Sequence, residues 1–319
     1  MGVFDRAARF AVHADPQAAI HRLVRLTATV EADEEGETGD DAPIYRQWGD
    51  SRTVPLPDDE DRTADHVMIL DPPPGTPDQP RWLWVWEFQA EHDPDKIDVL
   101  LEEVARFRVR ARYGERNRTK YRVFPVLVVL QGRCPASDAR LDMTWRGLGV
   151  SHAPLVWNVA DDSAQATLAA IETGADSWTM LFWVPLMSGS DDPDAIAWWV
   201  RLVRERAPSA RERSELVRVA LPFAELAGRY LVWEQGLEGQ EMTESAVVNE
   251  WTREARRETE LKTTRNAVIR ALRQRFGDGV SAEVVVMIEA QTDLTTLTDW
   301  FDEAVTAPTW EWFLKQLRG

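Results

Sequence analysis

The sequence predicts an α/β protein: a mixed sheet flanked by helices, followed by a helical C-terminal region. Three observations carry that expectation. A breaker-rich turn, DPPPGTPDQP (71–80), separates two strand-like segments. An amphipathic segment then leads into a near-continuous apolar run, YRVFPVLVVL (121–130), the pattern of a strand covered on both faces. Beyond Pro208 the chain is patterned as helix almost throughout.

From the N-terminus, Asp15-Pro16 is a helix start, and Ala19, Leu23, Leu26 and Val30 repeat at helical spacing over 16–30. An acidic, Gly-containing run follows (31–41; Glu31, Asp33, Glu34, Glu35, Glu37, Asp40, Asp41), which cannot bury itself and reads as a loop. Strands are expected at 66–70 and 81–89. In the second, Leu83, Val85, Glu87 and Gln89 share one face and Trp84, Trp86 and Phe88 the other, so it belongs in the sheet interior. Asp93-Pro94 opens a helix to about Tyr113 with Ile97, Leu100, Leu101, Val104 and Phe107 inward. Strand, helix and buried strand in that order make a crossover unit. Further helices are expected at 161–173, 193–205, 253–276 (stopped by Gly277), 281–290, 294–305 and 309–317, with 178–187 as a strand or buried loop. The expected division is a sheet-bearing domain over 1–205 and a helical region over 206–319.

Composition narrows the function. The chain has 319 residues, 44% hydrophobic and 29% charged, with no apolar stretch near the roughly 18 residues needed to span a bilayer. The N-terminal segment lacks a secretory pattern, which together with the lone Cys134 predicts a cytoplasmic protein without membrane contact or disulfides. Five scattered histidines, with no HxH or HExxH, argue against zinc. A net charge of −17 argues against non-specific coating of nucleic acid. Yet residues 104–133 hold nine basic side chains (Arg106, Arg108, Arg110, Arg112, Arg116, Arg118, Lys120, Arg122, Arg133) against Glu115 alone. Such a strip is either a solvated helix face or a phosphate-facing surface. Most of the tryptophans follow strand or helix periodicity and are expected in the core.

Three polar residues stand out in apolar surroundings. Glu87 and Gln89, two apart on a strand, project from one face roughly 6.5–7 Å apart. Pairing the strands symmetrically about residue 76 sets Asp65 beside Trp86 and Glu87. Two carboxylates brought together repel unless a cation separates them. Mg²⁺ (or Mn²⁺) suits one or two carboxylates plus a carbonyl, here that of Phe88, with waters retained. Such an ion can polarise a phosphodiester and acidify water, with Gln89 orienting the attacking water. The bland alternative is a strand-end Glu that meets solvent or an arginine such as Arg62 or Arg81.

These residues also carry a family likeness. Arg62-Thr63-Ala64-Asp65 before a strand, then Glu87-Phe88-Gln89-Ala90 with Asp93-Pro94 and an Arg-containing helix, resembles the recombination-promoting nuclease / putative transposase family. That family carries a D…ExQ version of the PD-(D/E)xK nuclease motif. The buried strand 124–130, the Pro185 region and its Trp-containing helix, and Leu272–Gly277 before short helices follow the same order, at low identity over most of the chain. The resemblance implies a restriction-endonuclease-like core, metal-dependent DNA hydrolysis, and a role in recombination or mobile DNA. It implies Asp65 and Glu87 as metal ligands, and Gln89 in the place of the superfamily's lysine. Ala90 departs from the usual Ser, the acidic loop 31–41 is unusual, and Glu31 is a candidate for the first-helix Glu of many superfamily members. Arg106, Arg110, Arg116, Arg118 and Lys120 become candidate phosphate contacts. Lys262, Arg265, Arg270, Arg273 and Arg275 on the long C-terminal helix suit phosphate or, equally, a protein partner or homodimer. The rival expectation is a catalytically inactive member of the same fold acting as an interaction or DNA-binding module.

Overall fold

In the computed structural model the described residues are 2–31, 42–51, 66–76, 79–113, 121–135, 141–145, 148–238, 246–277 and 280–318. The turn at 71–80 does what its prolines and glycine require. It reverses the chain between β2 (His66–Asp71) and β3 (Trp82–Glu91), which pair antiparallel with His66 opposite Trp86 and Leu70 opposite Trp82. Gly75 at the tip has φ +90°, a conformation open to glycine at no steric cost.

From β3 the chain crosses through α3 (Lys96–Tyr113) to β4 (Arg122–Gln131), which pairs parallel with β3, Glu87 opposite Leu127 and Gln89 opposite Val129. This is the expected crossover. Four strands had no clear sequence signal: the two of a hairpin outside the main sheet, and within that sheet β1 (Ile44–Trp48), antiparallel to β2, and β7 (Leu155–Asn158), parallel to β4. The five-stranded sheet runs β1-β2-β3-β4-β7, with β2 alone opposed in direction. A separate hairpin joins β5 (Leu141–Trp145) to β6 (Leu148–His152).

Both sheet faces are covered, as the run of apolar residues in β4 requires. On one face Leu83, Val85, Leu127 and Val129 meet Ile97, Leu100, Val104 and Phe107 of α3. On the other lie Trp84, Trp86 and Phe88, facing α1 (Val3–Ala14), which packs on β3; α2 (Pro16–Glu31) packs on β1 and β7. Asp15 starts α2 by accepting the Ala18 N–H at 3.0 Å. Arg22 of α2 and the Trp157 indole N–H (2.9 Å) both bond the buried Asp162, tying this helix to the end of β7.

The remaining helices of this unit are α4 (Ala164–Thr173), α5 (Pro193–Arg206), α6 (Ala210–Leu226) and α7 (Tyr230–Leu237). The stretch 178–187, expected as strand or buried loop, forms two buried 3-10 turns (Trp178–Phe182, Val184–Leu186), with Trp183 packed at a tilt against Trp157 and Phe223. Trp84, Trp86, Trp157, Trp183, Trp199 and Trp233 are core residues. The expected boundary at 205/206 falls at the last residue of α5. By contacts the unit extends to Val248, since α6 packs on α1 and on the 184–186 turn and α7 on α5 and α6. The second unit, from Asn249, comprises most of α8 (Ala246–Phe276) with α9 (Ala282–Ala290), α10 (Leu294–Thr306) and α11 (Trp310–Arg318). Its own core joins Val268, Leu272, Ile288, Leu297, Ala304 and Phe313. Gly277, at φ +58°, ends α8. Among the described residues no helix is long and apolar enough to cross a membrane.

Candidate functional site at the end of the third strand

The two-residue period of β3 puts Glu87 and Gln89 on the face that α3 covers, in line with Leu83 and Val85. Both polar residues are buried, at 5% and 4% exposure. Burial of this kind needs partners, and the turn after β3 provides some. The Asp93 backbone N–H donates to Gln89 Oε1 at 3.1 Å, Asp93 Oδ1 accepts from the Asp95 N–H at 3.1 Å, and the Asp93 carbonyl accepts from the Lys96 N–H at 3.2 Å. The tight turn returns the chain over the same sheet face. It delivers the Lys96 ammonium to Glu87 Oε1 at 2.7 Å.

Gln89 is satisfied on one side only. Its oxygen takes the Asp93 N–H, while the buried Nε2 has no hydrogen-bond partner among the described residues. An amide donor held this way is set to donate to an incoming oxygen. Phe88, between the two, turns its ring to the opposite face, 6.1 Å from Trp86 and 6.0 Å from His66. Asp65 lies outside the described residues; its neighbour His66 pairs with Trp86, the residue before Glu87. Among the described residues no three His, Cys, Asp or Glu side chains are grouped to hold a metal.

The basic strip divides. Arg106 is buried, at 5% exposure, and pairs with Glu102 one helical turn earlier, so its guanidinium does not reach a surface where phosphate could meet it. Arg110 lies in α3, its side chain outside the description, and Arg116, Arg118 and Lys120 lie outside the described residues. Arg122 is exposed and donates to Gln79 Oε1 at 3.2 Å, and Arg133 pairs with Asp161 at 3.2 Å. Arg81, a candidate partner for Glu87, pairs instead with Asp71 at 3.0 Å; Arg62 is outside the described residues, as is the acidic loop beyond Glu31. On α8, Arg265 donates to the Gln291 carbonyl and Arg275 to that of Val305, while Arg270 and Arg273 are exposed.

Two groupings escaped the sequence reading. Lys96 is nine residues from Glu87, and the Asp93-Pro94-Asp95 turn was the signal for a return over the strand. The other is a cluster behind β3: His13 of α1 lies 3.9 Å from the Trp48 ring and 4.5 Å from that of His66. Burial, then the nearby His13 and Arg9, lowers the His66 pKa to about 3; burial and Arg9 lower that of His13.

With this geometry in hand, comparison with known proteins adds no assignment: no family model, curated protein or solved structure matches the chain.

Proposed function

We propose that the chain is a divalent-metal-dependent DNA endonuclease of restriction-endonuclease-like type, with its site at the C-terminal end of β3. The observation that carries the proposal is the buried pair there. Glu87 places a carboxylate, and Gln89 an amide donor without an acceptor, on one face of the strand end. Leaving such a donor unsatisfied costs about 1–3 kcal/mol, which an incoming acceptor would recover.

The family likeness calls for a divalent cation here, although among the described residues no three acidic, imidazole or thiol side chains group to hold one. Glu87 and Asp65, the ligands that the likeness implies, would hold it together with the Phe88 carbonyl. When bound, Mg²⁺ or Mn²⁺ would polarise the phosphodiester and favour ionisation of water. Gln89 would donate through Nε2 to the attacking water and keep its oxygen aligned on phosphorus, its own orientation held by the Asp93 N–H. Leu127 and Val129, beside Glu87 and Gln89 on β4, limit water on that side. The net reaction adds one water across one P–O bond and yields a phosphomonoester and a hydroxyl. The role in recombination or mobile DNA rests on the family likeness alone.

The test is nicking of supercoiled plasmid with Mg²⁺ or Mn²⁺. The wild type should nick, and Glu87→Ala and Asp65→Asn should each lose at least about 100-fold. Activity that survives both substitutions would place the chemistry elsewhere.

One observation favours the second reading, an inactive member of the fold that binds DNA or protein. The Lys96 ammonium already neutralises Glu87. A wild type inert with either metal, yet folded, would support it.

A further inference from the structure

We propose that the aromatic cluster where His13, Trp48 and His66 meet is a stacking site for an unpaired nucleobase of a DNA strand. The inference rests on reading the chain as a DNA-handling protein. It involves no metal, and the cluster lies on the α1 face of the sheet, away from Glu87 and Gln89.

Chain topology brings the three rings to one end of the sheet. Trp48 closes β1, His66 opens β2 opposite Trp86, and His13 is the penultimate residue of α1. The cluster stands toward the carboxyl ends of the parallel strands β3, β4 and β7, outside which open α/β sheets bind their ligands. The His13 ring lies on that of Trp48 at 3.9 Å and an interplanar angle of 32°, and His66 meets His13 edge-on at 4.5 Å and 75°. A small planar heterocycle thus already rests on the indole, in the manner of a base on an aromatic platform. His13 is exposed and Trp48 half-buried, so the imidazole at the helix end can swing into solvent and leave the indole to a larger ring.

Two features point to a ligand rather than to packing alone. His66 is hydrogen-bonded to the Arg9 backbone, while its Nε2 is buried without a partner among the described residues. Burial, then His13 and Arg9, hold this ring neutral, with a pKa of about 3. A neutral imidazole has one N–H, which the Arg9 carbonyl takes, so Nε2 is left as an acceptor. The exocyclic amine or ring N–H of a base would complete it. The second feature is charge. Arg9 lowers the pKa of both histidines, so the local field is positive. Such a field repels a cationic ligand and suits a ring carried on a phosphate chain. Phe88, 6.0 Å from His66, and Tyr45, 5.5 Å from Trp48, extend the aromatic wall.

The test is fluorescence anisotropy of a labelled single strand of about twelve nucleotides, titrated with the full chain at low salt in EDTA. The proteins are the wild type, Trp48→Leu, His66→Phe and His13→Ala. Trp48→Leu should weaken binding roughly five- to hundredfold, the scale of one stacked base. His66→Phe keeps a ring but deletes the acceptor, and should cost roughly two- to tenfold. His13→Ala should tighten binding about threefold or more, because a base no longer has to displace the imidazole. An unlabelled duplex of the same sequence should compete poorly, its bases being stacked already. Trp48→Phe, with a smaller loss expected, serves if Trp48→Leu misfolds. A cluster that only packs would lose stability in His13→Ala without any gain in affinity; that result overturns the proposal, as does equal competition by duplex. Single-strand binding that none of the variants alters would sink the stacking site and spare the DNA reading. No binding by the wild type or His13→Ala would remove both.

Discussion

Replacing Gln89 by Met separates a group kept for the fold from one kept for chemistry. The side chain makes one hydrogen bond, from the Asp93 N–H at 3.1 Å, and leaves one buried Nε2 without a partner among the described residues. Methionine has nearly the same length and volume and carries neither group. Losing the bond costs about 0.5–1.5 kcal/mol. Removing the orphaned donor returns about 1–3 kcal/mol. The sum runs from about 0.5 kcal/mol against the variant to about 2.5 kcal/mol in its favour. Plasmid nicking should at the same time fall about 100-fold, the usual cost of one preorganised donor. Urea unfolding followed by tryptophan fluorescence reads the first quantity. A loss of more than about 1 kcal/mol would mean that Nε2 has an acceptor within the protein and that Gln89 is structural. Undiminished nicking in a stable variant would refute the catalytic half.

Two further predictions concern the scaffold. The folded protein holds His66 neutral, its pKa about 3, whereas the unfolded chain protonates it near 6.5. Stability from this residue is therefore present above about pH 6.5 and lost as pH falls toward 3, with His13 acting in the same direction. At pH 5.5 the loss should be about 1 kcal/mol relative to pH 7.5, after discounting for partial exposure; His66→Phe should flatten the dependence, and a stability that does not change over this range would count against the buried cluster. At Gly236 in α7 an added Cβ would sit 2.5 Å from Ile196 Cγ2 of α5. Gly236→Ala should thus destabilise by about 1–2 kcal/mol, overpacking of about 1–3 kcal/mol outweighing the roughly 1 kcal/mol gained in helix propensity. A raised urea midpoint would show that α5 and α7 have room to separate.

Sequence alone determined the hairpin, the crossover and the pairing of Glu87 with Gln89, because each follows from short-range rules. A proline-rich turn of fixed length sets the register, so that His66 meets Trp86, and the period of two aligns the polar pair with Leu83 and Val85. Trp84 and Trp86 were legible as core for the same reason. Only the tertiary structure decided the rest. β7 has four residues and pairs only because β4 offers an edge, and the 178–187 turns are buried by packing that no local pattern records. Arg106 follows the α3 face that turns inward beside Glu102, which a charge count along the chain cannot see. Lys96 meets Glu87 because a three-residue turn folds a helix start back over a strand end. Charges nine residues apart become neighbours through that reversal, and local propensity carries no record of it.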